Sequence, residues 1–344
     1  MFNKELYNSP YHETDLSKYS FLITGGAGFI GSNLVEYLLR YNAGKVRVLD
    51  NLSNGYIENI KDFFEFPNFE FIEGDIRDIN TCKRAVDGIN YISHQAALGS
   101  VPRSIADPIT SNDVNINGFL NMLFVAKESL SLKQMVYAAS SSTYGDSPLL
   151  PKVEGGEGKP LSPYAVTKLV NELYADVFSR TYGFHTIGLR YFNIFGPKQN
   201  PDNPYAAVIP IFCKHYIESS NPTINGDGET SRDFTFVENA IQANIKTLLK
   251  YVEGENKLNK HEVFNVACGD QISLNEMIDM LRHISQNSHV KVSYGPERIG
   301  DVKHSKASIS KLQDFCDYSP KIRFNEGLTI VYNWYKDYSL FTTI

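Results

Sequence analysis

The chain has 344 residues, 42% of them hydrophobic and 21% charged, with a net charge of −6. That is enough to bury a large core in one big domain or two closely joined ones, and it excludes disorder as the general state. No Lys/Arg stripe points to nucleic acid, and no apolar stretch reaches the length of a membrane span or a signal peptide. The four cysteines, Cys82, Cys213, Cys268 and Cys316, lack paired spacing, so neither a zinc site nor a disulfide framework is expected. They suit the cytoplasm as small buried thiols.

Residues 1–19 show no period and read as an extension on the surface with one helical turn. Phe21-Leu22-Ile23 reads as a buried strand, and Asn33 to Leu39 is apolar at helical spacing. Between them lies Thr24-Gly25-Gly26-Ala27-Gly28-Phe29-Ile30-Gly31, so the glycines occupy a strand-to-helix turn. This context makes a Gly pattern a nucleotide-binding fingerprint: Gly25 for the sharp turn, Gly28 for approach to a pyrophosphate, Gly31 for close packing of helix on strand. The helix start offers free N–H groups to phosphates. The next strand, Lys45 to Leu49, ends at Asp50, a carboxylate that accepts from an adenosine ribose and repels a 2′-phosphate. The cofactor expected is therefore NAD rather than NADP.

Asn51-Leu52-Ser53-Asn54-Gly55 follows as a loop at a strand's carboxyl end. Phe69 to Glu73 reads as a strand, after which Asp75 either holds the adenine amino group or caps the helix beginning near Ile79. Asn90 to His94 is a fourth strand; His94 reads as structural. The small residues Gln95-Ala96-Ala97-Leu98-Gly99-Ser100 allow close approach to a flat cofactor. Asp107-Pro108 opens a long helix carrying Asn115 and Asn117, read as buried asparagines that lock backbone. Gln134 to Ala139 is a fifth strand that runs into four hydroxyls, Ser140 to Thr143: either a turn or a polar platform facing substrate.

Ser162 caps a further helix with Pro163 in its first turn. Tyr164 and Lys168 share one face of that helix. After a nucleotide fold and a hydroxyl cluster this pair reads as catalytic, with the lysine and a cationic nicotinamide lowering the phenol toward neutrality. His185 to Leu189 is a strand, Ala206 to Tyr216 a helix, and Ile224 to Glu229 a hairpin-like turn. Residues 237–267 read as a helix and a strand rejoining the first sheet, and Glu326 to Tyr338 as a closing amphipathic helix. The fold class is α/β: a Rossmann-type doubly wound parallel sheet with a smaller α/β substrate-binding domain. The expected division is 1–190 with 237–267 for the dinucleotide and 191–236 with 268–344 for the substrate.

Taken together, Thr24–Gly31, Asp50–Gly55, Gly74–Ile76, His94–Arg103, Ala139–Gly145, Ser162–Lys168, Leu189–Gly196, Ser231–Phe236 and Gly300–Ser305 resemble the extended short-chain dehydrogenase/reductase family. Within it, the chain is similar to UDP-hexose 4-epimerases, in particular those acting on UDP-N-acetylglucosamine and UDP-N-acetylgalactosamine for surface polysaccharides. The resemblance implies NAD contacts from Gly25, Gly28, Phe29, Ile30, Gly31, Asp50, Asn51, Asn54, Gly55, Asp75, Ile76, Gln95, Asn115, Lys168 and Tyr191, and also from Tyr164, the acid/base. It places the substrate-polarising hydroxyl at Ser140, with Ser141 and Ser142 close enough to leave that choice open. It implies UDP-sugar contacts from Ser100, Arg103, Asn193, Gln199, Ala207, Val208, Arg232, Arg298 and Asp301. Arg232 and Arg298 suit a pyrophosphate, because guanidinium forks match its oxygens.

The family's dehydratases carry an Asp-Glu pair where this chain has Ser141-Ser142, so a dehydratase is disfavoured. Aligning on Gly300-Asp301 puts the family's gate position at Ser305, where a small side chain leaves room for a 2-acetamido group. UDP-glucose/UDP-galactose or UDP-glucuronate 4-epimerisation is the alternative. A nucleotide-sensing scaffold is the non-enzyme alternative, against which the retained Tyr164 and Lys168 speak. The resemblance also implies a homodimer through a four-helix bundle from residues 108–130 and 162–182. Phe119, Leu123, Leu169, Leu173 and Val177 are candidate contacts, although core packing explains them equally well.

Overall fold

The computed structural model describes residues 3–202, 206–250, 260–297 and 303–337. Seven parallel strands form the central sheet: β1 (Ser20–Thr24), β2 (Lys45–Asp50), β3 (Phe69–Glu73), β4 (Tyr91–His94), β5 (Gln134–Ser140), β6 (Thr186–Tyr191) and, much later in the chain, β11 (Glu262–Val266). Their order is β11-β6-β5-β4-β1-β2-β3. The chain reverses direction across the sheet between β1 and β4, and the crevice at the strands' carboxyl ends opens there.

Side chains alternate across the sheet. Phe21, Ile23, Val46, Val48 and Val136 face one layer with α1 (Phe29–Arg40) and α8 (Val237–Leu249). Leu22, Leu49, Ile92, Met135 and Tyr137 face the other, with α2 (Ile79–Val86), α5 (Phe119–Glu128) and α6 (Pro163–Tyr182). Burial of both faces explains the near-continuous apolar strands. The short helices α3 (Val101–Ala106) and α4 (Pro108–Asn112) lead into α5 through a π-helical turn, Asp113–Gly118.

The remainder forms a smaller part built on α7 (Val208–Glu218), α9 (Leu274–Ser285), α10 (Ser310–Cys316) and α11 (Phe324–Asp337). Its short strands pair in twos: β7 (Ile194–Phe195) with β10 (Thr235–Phe236), β8 (Thr223–Asn225) with β13 (Ser293–Gly295), and β9 (Ser231–Arg232) with β12 (Ile272–Ser273). Phe212, Tyr216, Met277, Leu281, Leu328 and Tyr335 join the apolar layer beneath α1 and α8, so the two parts share one core. All four cysteines are buried thiols; burial pushes Cys82 and Cys268 up to about 12 and Cys316 up to about 11.

Four expectations are corrected here. The N-terminal extension does not merely lie on the surface, because Leu6, Tyr7 and Leu16 are buried in the core. Ile224 to Glu229 is not a hairpin: β8 pairs in parallel with β13. Asp75 does not cap α2; Asp78 does, accepting the N–H groups of Asn80 and Thr81 at 3.0 and 3.3 Å. Asn117 is exposed and bonds Asp113 on its own helix at 2.8 Å.

Candidate active site

The Gly turn follows β1 directly. Gly25 has φ +67°, and a Cβ there would stand 2.7 Å from the Ala96 nitrogen, so only glycine fits. A Cβ on Gly31 would come within 2.2 Å of the Gly25 carbonyl oxygen, so this residue packs on the turn itself rather than on the strand. Gly28 is the N-cap of α1 and carries no side chain to satisfy the helix's first N–H groups. They remain donors for an anion.

A cavity of about 500 Å³ opens over this turn at the switch point. Of the residues expected to bind the dinucleotide, all but Asn115 line it. Asp50 accepts N–H groups from Ala27 and Leu52, both at 2.9 Å. Burial raises its carboxyl, and these two bonds oppose that shift. Asp75 is held by Arg77 at 2.7 Å and by Asn51 at 2.8 Å; Arg77, the main cause, keeps its carboxyl down at about 2. These residues fit a dinucleotide with a free ribose, the uncapped helix being the feature that accommodates its phosphates.

Asn115 is instead buried on the π-helical turn. It accepts from the Leu98 N–H at 2.8 Å and donates to the Leu98 carbonyl and Thr167. It therefore fixes the cavity loop to α6, and Asn171 satisfies its own carbonyl at 2.7 Å. His94 is structural as expected: it bonds Thr24 at 2.8 Å, and burial holds it down at about 3.

The start of α6 is fixed twice. Ser162 accepts the Ala165 N–H, and the buried Ser104 accepts that of Tyr164, each within 3.1 Å. Tyr164, Lys168 and Ser140 all line the cavity; Ser141 and Ser142 do not. Ser142 donates to the Ser140 oxygen at 2.9 Å, and Ser140 lies against the Tyr164 phenol. The ammonium of Lys168 donates to the Ala138 carbonyl at 2.8 Å, and burial lowers it to about 8 against the pull of Glu172. Burial raises the Tyr164 phenol, with only Ser140 opposing. The chain's own groups thus do not by themselves bring the phenol toward neutrality.

Behind β5, Tyr191 donates to Gln95 at 3.1 Å, and Asn244 donates to Tyr191 at 2.8 Å. Gln95 in turn donates to Ser93 and Asn244. This closed ring of bonds fixes two cavity residues. Ser104 and Asn244 escaped the sequence reading because each acts from a distant segment, and Ser93 because its hydroxyl joins the ring only through Asn244 and Gln95.

Of the residues expected to contact the sugar nucleotide, Ser100, Arg103, Asn193, Gln199 and Ala207 line the cavity, whereas Val208, Arg232 and Ser305 do not. Arg232 donates to the Ser231 and Lys303 carbonyls. Ser305 has its N–H on the Ser231 carbonyl at 3.1 Å. Arg298 and Asp301 lie outside the described residues. Lys198, missed in the sequence, adds a cation to the wall. Gln199 Oε1 is buried without a hydrogen-bond partner among the described residues.

A model of the NAD dependent epimerase/dehydratase family matches residues 21–267. Among solved structures, the chain is similar to a UDP-N-acetylglucosamine 4-epimerase from Methanobrevibacter ruminantium in complex with UDP-N-acetylmuramic acid. Identity is 37%, coverage 92% of this chain and 98% of that one, and TM-score 0.85. A UDP-glucose 4-epimerase from Thermotoga maritima with UDP-glucose is 31% identical over 92% and 98% of the chains, TM-score 0.84. A UDP-glucuronic acid 4-epimerase from Bacillus cereus in complex with UDP-glucuronic acid and NAD is 30% identical over 92% and 99%, TM-score 0.83.

Proposed function

The chain belongs to the NAD dependent epimerase/dehydratase family, and on that premise we propose that it interconverts UDP-N-acetylglucosamine and UDP-N-acetylgalactosamine by inverting the sugar's 4-position. One observation carries the reaction type. Tyr164, Lys168 and Ser140 converge in the cleft, while the carboxylates among its described lining residues, Asp50 and Asp75, belong to the dinucleotide end. Elimination of water would call for an acid and a base beside the sugar; exchange at one carbon needs only the phenol.

In this reading Tyr164 removes the proton of the 4-hydroxyl and Ser140 hydrogen-bonds the oxygen as it becomes a ketone. Bound NAD supplies a hydride acceptor that later becomes the donor. Lys168 holds the nicotinamide ribose. Release of the 4-keto sugar's first face and presentation of its second lets hydride return to C4 from the opposite side, which inverts that centre, while Tyr164 returns the proton to O4. The broad division proposed is residues 1–190 and 237–267 for NAD and 191–236 and 268–344 for the UDP-sugar, with Tyr191 crossing to the dinucleotide and Ser100, Arg103 and Ser140 crossing to the sugar.

Three features support an N-acetylated substrate. The buried, unpartnered Gln199 Oε1 calls for a donor such as an acetamido N–H. Ser305, the gate position that the resemblance implies, is small, although it stands off the cavity wall. A relative with 37% identity is a UDP-N-acetylglucosamine 4-epimerase. We further infer a cytoplasmic homodimer serving surface polysaccharide synthesis. Val166, Leu173 and Val177 expose apolar side chains along α6, whereas Phe119 and Leu123 are spent in the core.

The test is proton NMR of purified protein given UDP-N-acetylglucosamine and, separately, UDP-glucose, without added NAD. Faster growth of the UDP-N-acetylgalactosamine signal supports the proposal. Conversion of UDP-glucose alone keeps the mechanism and removes the Ser305 argument. No conversion of either directs the assay to UDP-glucuronate and then to a non-enzymatic role.

A further inference from the structure

Residues 3–19 precede the segment that the family model matches, and their contacts lead through α1 to the sugar side of the cleft. Tyr7 is buried, and its phenol donates to Asn33 Oδ1 at 2.9 Å. A buried amide can present either end to a neighbour. With its oxygen engaged by Tyr7, Asn33 turns its nitrogen to the carbonyls of Phe29 at 2.9 Å and Pro197 at 3.1 Å. Three residues along α1, Glu36 does the same with charge. One oxygen accepts the Asn3 N–H at 2.6 Å, and the other holds the Lys198 ammonium at 2.9 Å.

Pro197 and Lys198 are consecutive, and they begin the wall Lys198-Gln199-Asn200 that lines the cavity. Lys198 has φ +73°, a left-handed conformation that a non-glycine side chain holds only when its surroundings impose it. The extension is itself anchored. Arg40 donates to the Leu6 carbonyl at 2.6 Å, and Tyr41 to the Tyr7 carbonyl at 2.7 Å.

We propose that residues 3–7 form a positioning strap for the sugar-side wall, Tyr7 acting through Asn33 on Pro197 and Asn3 acting through Glu36 on Lys198. The link to substrate rests on the activity proposed above; the link to the wall does not.

The experiment compares full-length wild type, Tyr7→Phe and Tyr11→Phe. Both variants keep the ring and lose one phenol hydrogen bond. The Tyr11 phenol bonds Glu238, whose same oxygen also accepts the Tyr7 N–H at 3.2 Å, but this variant leaves the Tyr7–Asn33 and Glu36–Lys198 bonds in place. Amide hydrogen exchange in the peptide spanning 194–200 should quicken severalfold in Tyr7→Phe and stay at the wild-type rate in Tyr11→Phe. Initial rates with UDP-N-acetylglucosamine should show KM rising roughly three- to tenfold in Tyr7→Phe, the scale of one buried hydrogen bond, with kcat and retained NAD unchanged. Unchanged exchange in Tyr7→Phe, or an equal rise in Tyr11→Phe, overturns the strap. A wild type that does not turn over this substrate fails the activity proposal alone, and the exchange data still decide the strap.

Discussion

The Lys168 ammonium lies 6.0 Å from the centre of the Tyr164 ring and spends a hydrogen bond on the Ala138 carbonyl. At that distance, and engaged by Ala138, it does not offset the desolvation that raises the phenol. A bound cationic nicotinamide would lower the phenol further. We expect the tyrosine absent from Tyr164→Phe to ionise above pH 10 in NAD-stripped protein and at lower pH once NAD is restored. Difference absorbance between wild type and variant reads this directly. Turnover by Tyr164→Phe should fall about 10²- to 10⁴-fold, the range for loss of a general acid/base.

Ser140 is the one serine of its run that lines the cavity. Ser140→Ala should lower kcat roughly 100-fold, as for removal of one donor to a developing oxyanion. Ser141→Ala should stay within about threefold of wild type. Ser142→Ala should fall between, because Ser142 donates to the Ser140 oxygen and orients its hydroxyl. Equal losses at all three positions would mean that the turn's shape matters, and not one hydroxyl.

Asp233 is fully buried and accepts the N–H groups of Cys268 at 3.0 Å and of Gly269 and Ala307 at 3.1 Å. Burial nonetheless pushes its carboxyl up to about 6 from 3.8. The folded chain therefore binds this proton more tightly than the unfolded chain. Its contribution to stability is complete below the unfolded value and is lost as pH rises through about 6. A shift of about two pKa units corresponds to about 3 kcal/mol. The stability of wild type relative to Asp233→Asn, from urea unfolding, should fall by up to that amount between pH 4 and pH 7. A pH-independent difference would contradict this account.

The apolar stripe on α6 gives a prediction about assembly. Leu173 is 56% exposed, although it sits on the same helix as Tyr164. Leu173→Glu should convert a dimer to a monomer in light scattering while leaving retained NAD unchanged. A wild type that is already monomeric would refute the homodimer.

Much of the dinucleotide site was legible because its signals are local. A glycine turn, a strand-end Asp50 and a Ser162-Pro163 cap each specify their own few residues of backbone. The smaller part was harder to read. Thr223 meets Ser293 across 70 residues of chain, and nothing near Ile224 announces a parallel partner. The extension was misjudged for a related reason: its anchors, Leu6, Tyr7 and Leu16, have no shared period and become apolar knobs only when α1 and α8 offer holes. Asn115 was placed at the cofactor by the family resemblance, yet its side-chain amide is engaged by Leu98 and Thr167. Side-chain satisfaction of that kind is a tertiary property.

The late position of β11 has a consequence for biosynthesis. Its pairing with β6 covers what is otherwise a border of the sheet, β11 becoming the edge strand in turn, and β6 contributes the fully buried Ile187 and Leu189. While a ribosome is still making α7, β8 to β10 and α8, that border stands open as a row of unpaired N–H and C=O groups beside apolar side chains. Such an edge invites pairing with other chains. A polypeptide stalled before residue 262 should therefore be prone to pairing with other chains along β6, and removing the segment from 237 onward should give an aggregating sheet rather than a smaller dinucleotide-binding domain.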